Sequence, residues 1–270
     1  MNIWVIGPGL SLKSHKHLIE KLNDKKTMVL QKVFPHCKNY FGLNPTYWTW
    51  FDPHGVVDGK LFLQKNLDYK IKAVLPSPLC NSGESFRESW PCGKSFIETK
   101  MDSNMKNWKT YEDFLTNEQL DIDWLDSISM AKLWFDKSKN RELAIKLSDN
   151  PEFRFNEFDK VTIGTHYSMF TPGFEENTIS RLLLPMCHKM GFKKVFVLGF
   201  DGVAGRFYGE NPLRKGKIWK TSPYVGKFSN LKKWIQWKQF TDMEIFSVIP
   251  CLIDKHIPSI SFEKALEMDN

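Results

Sequence analysis

The stretch TISRLLLPMCHKMGFKKVFVLGFDGVAGRFY, Thr178 to Tyr208, decides the fold. It opens with an apolar helical run that stops at Gly191. A basic pair follows, and Val195-Phe196-Val197-Leu198 then form an unbroken apolar segment ended by Gly199-Phe200-Asp201-Gly202. A short apolar run closed by glycines and preceded by a helix predicts a strand buried on both faces, as in a parallel sheet. Ligands of open α/β sheets collect just past the carboxyl ends of such strands. Gly199, Asp201 and Gly202 are therefore the first candidate site residues, with Asp201 placed to orient a ligand or a covering loop.

Working outward, Ile3-Trp4-Val5-Ile6 predicts a strand that enters Gly7-Pro8-Gly9-Leu10-Ser11-Leu12 and then a helix from about Lys13 to Leu22. In such a unit Gly7 and Gly9 let backbone N–H groups approach a phosphate at the positive end of the helix. Ser11 would cap that helix and offer a hydroxyl to the ligand. The same glycines also suit any tight strand-to-helix turn. Thr27-Met28-Val29-Leu30 predicts a second strand, ending at Gln31. Asn44-Pro45 breaks the chain at a strand end before the aromatic run Tyr47-Trp48-Thr49-Trp50-Phe51. There Asn44 would hydrogen-bond a base or ribose and the rings would stack; a capping Asn before a core-facing aromatic helix is the competing reading. Ile71 to Leu75 is a further strand, closed by Pro76-Ser77-Pro78.

Between Leu79 and Asp159 the βα rhythm is lost. This range reads as an insertion, 79–159, within a single domain spanning 1–270. Cys80 and Cys92 in it lack partners at zinc-site spacing and read as structural or free thiols. Val161-Thr162-Ile163-Gly164 resumes a strand, and His166 just beyond it is the histidine best placed for chemistry, against the plainer role of a hydrogen-bonded structural residue. Residues 203–238, rich in Gly, Lys, Arg, Tyr and Trp, suit a lid over an anion, or a solvated basic surface. Glu244 to Val248 is the last strand, and a short helix from Pro258 to Leu266 closes the chain.

At 270 residues the chain can bury one large core. Thirty-eight Lys and Arg against 31 Asp and Glu leave a net charge of +7, which favours an anionic partner. No nucleic-acid module signature accompanies that charge, so a specific nucleic-acid partner is not expected. Five cysteines without a CxxC pair suit reduced thiols in the cytoplasm. The amino terminus lacks the pattern of a secretory signal, and no segment approaches the about 20 apolar residues of a membrane span. Peripheral contact with the inner membrane face, and a homo-oligomer, remain compatible with the chain.

With these motifs placed, the chain resembles the bacterial sialyltransferases that use CMP-sialic acid, and the wider group of the archaeal pterin-pyrophosphokinase type. Ile6-Gly7-Pro8-Gly9-Leu10-Ser11-Leu12-Lys13 is similar to the family's G-x-G-P-S-L-K opening, and Asn44-Pro45-Thr46 to its Asn-Pro-Ser. Thr178 to Ser180 falls where the family has Thr-Ser-Gly. Met190 to Asp201 looks like its L-G-Y-K-E-I-x-L-x-G-x-D. The resemblance covers both ends of the chain and omits 79–159. It implies a Rossmann-like, mostly parallel sheet with a nucleotide in the central cleft and a lid after the Gly-x-Asp strand.

By position the resemblance puts Gly7, Gly9 and Ser11 on the phosphate side. Gln31 stands in the place of an asparagine, and Asn44 matches a nucleotide-contacting one. Thr178 and Ser180 would reach the cytidine or ribose, with Arg206 and Tyr208 in the lid. Two departures stand out: Pro8 replaces an asparagine, and in Pro223-Tyr224-Val225-Gly226-Lys227-Phe228-Ser229 Lys227 occupies the place of the catalytic histidine of H-Y-I-G-H-S.

The activity expected is transfer of a sugar, sialic-acid-like under the resemblance, from a nucleotide-sugar donor to a glycan or lipid-linked acceptor in surface-polysaccharide assembly. An acceptor hydroxyl would attack the anomeric carbon while a general base, His166 or a lid residue, takes its proton. The lid cations Arg206, Lys227 and Arg214 would stabilise the departing nucleotide phosphate. No metal ligands and no resident cofactor are expected, the CMP-linked sugar being a co-substrate. Two alternatives stay open. One is Mg²⁺-dependent diphosphate transfer from ATP, with Asp201 and Asp52 as metal ligands; the other is a non-catalytic nucleotide-binding protein.

Overall fold

The computed structural model describes residues 1–50, 56–76, 114–125, 183–200, 207, 209, 242–248 and 257–270. Its strands are β1 (Asn2–Ile6), β2 (Thr27–Leu30), β3 (Tyr47–Thr49), β4 (Ile71–Pro76), β5 (Leu120–Leu125), β6 (Lys194–Leu198) and β7 (Glu244–Ser247). The helices are α1 (Lys16–Ile19), α2 (Val33–Phe41), α3 (Val57–Lys65), α4 (Leu184–Lys189) and α5 (Phe262–Asp269). The strands form a parallel sheet in the order β5-β4-β3-β2-β1-β6-β7, flanked by helices, which is the expected α/β, Rossmann-like arrangement. The chain divides into two compact units, Met1–Trp48 with Met190–Asn270, and Thr49–Lys189.

In the first unit β1 lies between β2 and β6. Trp4 is in register with Phe196, Val5 with Val197 and Met28, and Val195 with Ile245 of β7. All of Ile3 to Ile6 and Val195 to Leu198 are buried, which is why these segments read as continuous apolar runs. Each such side chain contributes about 1.5–3 kcal/mol by leaving water. The Trp4 ring packs on Phe196 at 4.7 Å and on Phe262 of α5 at 5.2 Å. Its indole N–H donates to Asp269 Oδ2 at 2.7 Å, so the carboxyl-terminal helix is tied to the first strand. Helix α5 begins where Ser261 Oγ accepts from the Lys264 N–H, a side-chain N-cap.

The helix expected from Lys13 to Leu22 is broken into a 3-10 turn (Leu10–His15), the four-residue α1 and a second 3-10 turn (Glu20–Leu22). Ser14 Oγ donates to the Ser11 carbonyl, and His15 Nδ1 meets the same oxygen at 2.7 Å. Side chains thus occupy the carbonyl that a regular helix would use for the His15 backbone N–H. Helix α2 is more regular. Pro35 falls in its first turn, where a missing N–H is tolerated, and Gly42, at φ 67°, closes it with a bond to the Lys38 carbonyl.

At the amino ends of β2 and β3, Thr27 and Thr46 exchange backbone N–H to hydroxyl bonds. Within the aromatic run after Asn44, Tyr47 to Thr49 form a strand and not a helix. Trp48 and Trp50 are 0% and 1% exposed, so their rings belong to the core and present no face to a ligand.

In the second unit β4 and β5 pair in parallel, Ile71 with Leu120 through Pro76 with Leu125. Strand β5 comes from the range read as an insertion. Part of 79–159 therefore belongs to the sheet itself. Asp121 and Asp123 on β5 are exposed, and Asp123 pairs with Lys72 at 3.7 Å. Gln119, just before β5, places its side-chain amide among the carbonyls that follow α3. The strand expected at 161–164 lies outside the described residues. None of the described helices is long and apolar enough to cross a membrane.

Cys37 and Cys187 are buried, and burial pushes both thiols above their ordinary range. Since the thiolate is the reactive form, neither should react with iodoacetamide in the native state at pH 8. Both should react fully in denaturant. Peptide mapping by mass spectrometry reads this directly, and rapid native labelling of either would contradict the packing.

Candidate functional site

In the first unit the chain leaves β1 toward β2 and β3 on one side and returns as β6 on the other. The strand order therefore reverses between β1 and β6, and such a switch point is where open α/β sheets hold ligands. Gly7-Pro8-Gly9 after β1 and Gly199-Phe200 after β6 meet there. The Gly7 N–H donates to the Leu198 carbonyl at 2.8 Å and the Gly9 N–H to the Gly199 carbonyl at 2.7 Å. Both amides are thus committed within the fold, and Pro8 has none. This corrects the expectation that the two glycines present their N–H groups to a phosphate.

The glycines are needed because two loops approach closely. A Cβ on Gly7 would lie 2.5 Å from the Gly199 oxygen, and one on Gly199 would lie 2.8 Å from Leu12 Cδ1 and Cγ. Gly199 also has φ 66°, a conformation open to glycine. Ser11 lies inside the 3-10 turn, whose N-cap is Gly9, so it does not cap as expected.

Gln31 ends β2 at the same edge of the sheet. It has a positive φ of 42°, uncommon for a residue with a side chain. Trp48 Nε1 donates to its carbonyl at 2.8 Å and helps hold it there. Backbone held in a sparse region concentrates at functional sites. Asn44 is placed differently. It precedes β3, at the amino edge of the sheet, where Lys38 Nζ donates to its Oδ1 at 2.6 Å and its N–H bonds Asn23 Oδ1 at 2.8 Å. That edge is opposite to the one carrying Gly7, Gln31 and Gly199, and this corrects the reading of Asn44 as a nucleotide contact. His166, Thr178, Ser180, Asp201, Gly202, Arg206, Tyr208, Arg214 and Lys227 lie outside the described residues.

Beside the turn after β1 opens a cleft of about 360 Å³ lined by Lys13, His36, Asn39, Tyr40, Phe207 and Gly209. The Phe207 N–H donates to the Pro8 carbonyl at 3.0 Å, which brings the chain after β6 back to the β1 loop. The Phe207 ring packs on Phe41 at 4.6 Å and lies 5.7 Å from Tyr40. Lys16 Nζ stands 5.7 Å above the Tyr40 ring, a cation–π distance. His36, Asn39 and Tyr40 were not among the sequence candidates. Their spacing of three and four residues puts them on one face of α2, a signal that the apolar pattern of the opposite face obscured. Among the described residues no group of three or more His, Cys, Asp or Glu converges on a point, and Asp52 and Asp201 lie outside them.

No family model and no curated protein matches the sequence. The fold is similar to that of the sialyltransferase CstII from Campylobacter jejuni. The structure of that enzyme with CMP-3FNeuAc has a TM-score of 0.48 and 12% identity, over 95% of this chain and 84% of that one. A Tyr-to-Phe variant of the enzyme with CMP gives a TM-score of 0.50 and 12% identity, over 96% of this chain and 86% of that one. At this identity the likeness concerns the fold.

Proposed function

We propose that this protein is a glycosyltransferase-like enzyme that binds a nucleotide-sugar at the β1/β6 switch point and transfers its sugar to a glycan or lipid-linked acceptor. The observation that carries the reading is the reversal of strand order at β1 and β6, with Gly7, Gly9 and Gly199 packed where the two loops meet. The strained Gln31 at the same edge supports it. Ser11 and Gln31 border the donor in this reading. Thr178 and Ser180 take the nucleoside, Tyr208 and Arg206 the phosphate, and Asp201 and Gly202 the start of the lid. His166 takes the acceptor proton, and Lys227 steadies the departing phosphate as a cation, a role that needs no change in its protonation.

Calorimetric titration with CMP, CDP, UDP, GDP and ATP, each with and without Mg²⁺, tests the reading. CMP comes first because the similar structure of TM-score 0.50 holds it. Binding of CMP or CDP without metal, at a Kd of about 1–100 μM, is the expected result. Mg²⁺-dependent ATP binding alone would move the assignment to diphosphate transfer. Silence toward every nucleotide would overturn both. Once a donor is found, Lys227→Ala should lower turnover more than donor affinity; unchanged turnover rejects its role.

A further inference from the structure

We propose that the cleft on the outer face of α2 is a second binding site, for a small phosphorylated ring compound. Its anion would be taken by Lys13 and Lys16, and its ring would lie against Tyr40. Of the described residues that mark the switch point, Gly7, Gly9, Gln31 and Gly199 do not line this cleft. It neither needs nor supports the transferase reading. At about 360 Å³ it falls near the lower end of small-molecule sites and suits a monosaccharide phosphate or a nucleoside monophosphate.

The chemistry of the walls favours an anion. Lys13 lines the cleft and Lys16 stands over the ring of Tyr40, and among the described residues none that lines the cleft is acidic. Tyr40 is 37% exposed while Phe41 and Phe207 behind it are buried. The ring is thus braced from below by T-shaped contact with Phe41 at 4.9 Å and by Phe207, with part of its surface in water. A braced, half-exposed aromatic contributes contact area at low entropic cost. Asn39, exposed one residue before Tyr40, offers an amide that can donate to and accept from sugar hydroxyls. Cation, ring and amide therefore converge on one pocket from two elements, the turn after β1 with α1, and α2.

Titration of the whole chain with inorganic phosphate, glucose 1-phosphate and CMP tests the site and separates the two sources of the phosphate. At least one ring compound should bind about tenfold more tightly than inorganic phosphate. Tyr40→Ala should remove that advantage, while Tyr40→Phe retains it and reports that α2 is intact. Lys13→Glu should weaken every probe by more than about tenfold. Failure of all three probes to bind overturns the proposal. So does binding that ignores both Tyr40→Ala and Lys13→Glu. CMP binding of that second kind belongs to the switch-point crevice, leaving the transferase reading standing while this one falls.

Discussion

Gly199→Ala should destabilise the first unit by roughly 2–5 kcal/mol. Two independent terms act at this residue. Its φ of 66° costs an L-residue about 1–2 kcal/mol. The new methyl would also stand 2.8 Å from two carbons of Leu12 and 3.0 Å from the Gly7 oxygen, and overpacking of that kind costs about 1–3 kcal/mol. The two terms can be measured apart. Gly42 has φ 67° with nothing within 4 Å of the added Cβ, so Gly42→Ala carries strain alone. Gly7→Ala carries packing alone, its Cβ meeting the Gly199 oxygen at 2.5 Å without a left-handed backbone. Urea unfolding should place both Gly199→Ala and Gly7→Ala below Gly42→Ala in stability. If Gly199→Ala matches Gly42→Ala, the close packing of Leu12 on the β6 loop is wrong.

That experiment also bears on why the site was only partly legible in the sequence. A glycine after a strand signals that another backbone comes close, but not whose. At Gly7 and Gly9 the neighbour is the carboxyl end of β6, whereas a phosphate would have required the same residues. The buried strands β1, β2 and β6 were legible because both faces are covered and the apolar run is unbroken. Strand β5 was not, because Asp121 and Asp123 interrupt its apolar positions and face water at the edge of the sheet. Asn44 failed for a further reason. In the sequence the three residues of β3 are flanked by Asn44-Pro45 and Asp52-Pro53, both turn-forming pairs by residue type, and nothing local says which end faces the ligand. The broken helix after Gly9 depends on side chains of Ser14 and His15 that compete for one carbonyl, a contest that apolar periodicity does not record.

In the second unit the largest effect is expected from Gln119→Glu, which exchanges one NH₂ group for an oxygen. Gln119 is 9% exposed, and its Nε2 lies 2.8 Å from the Asn66 carbonyl and 3.0 Å from that of Tyr69. The Leu67 and Leu63 carbonyls stand at 3.2 and 3.3 Å. The last carbonyls of a helix have no partner within it, and here a single amide serves the end of α3 and the loop beyond. Its own backbone carbonyl accepts from the Ile71 N–H at 3.0 Å, so the same residue also starts the β4–β5 ladder.

A carboxylate in this position would face four carbonyl oxygens with no proton to offer, and an uncompensated buried charge costs roughly 3–5 kcal/mol. The cost should depend on pH. Burial and the surrounding oxygens favour the neutral acid, so the folded-state pKa of the introduced group lies above the about 4.3 of an unfolded Glu. Between those two values the native state binds more protons than the unfolded one. Stability of the variant therefore falls as pH rises through that window, by up to about 1.4 kcal/mol per unit. Below the window the acid can donate one hydrogen bond and much of the loss is recovered. Gln119→Met removes the donor without adding charge, and should lose about 1–3 kcal/mol at every pH. Urea midpoints of the two variants, each referred to the unsubstituted protein at the same pH between 4 and 8, decide the matter. Parallel profiles would mean that the amide does not face the carbonyls at the end of α3.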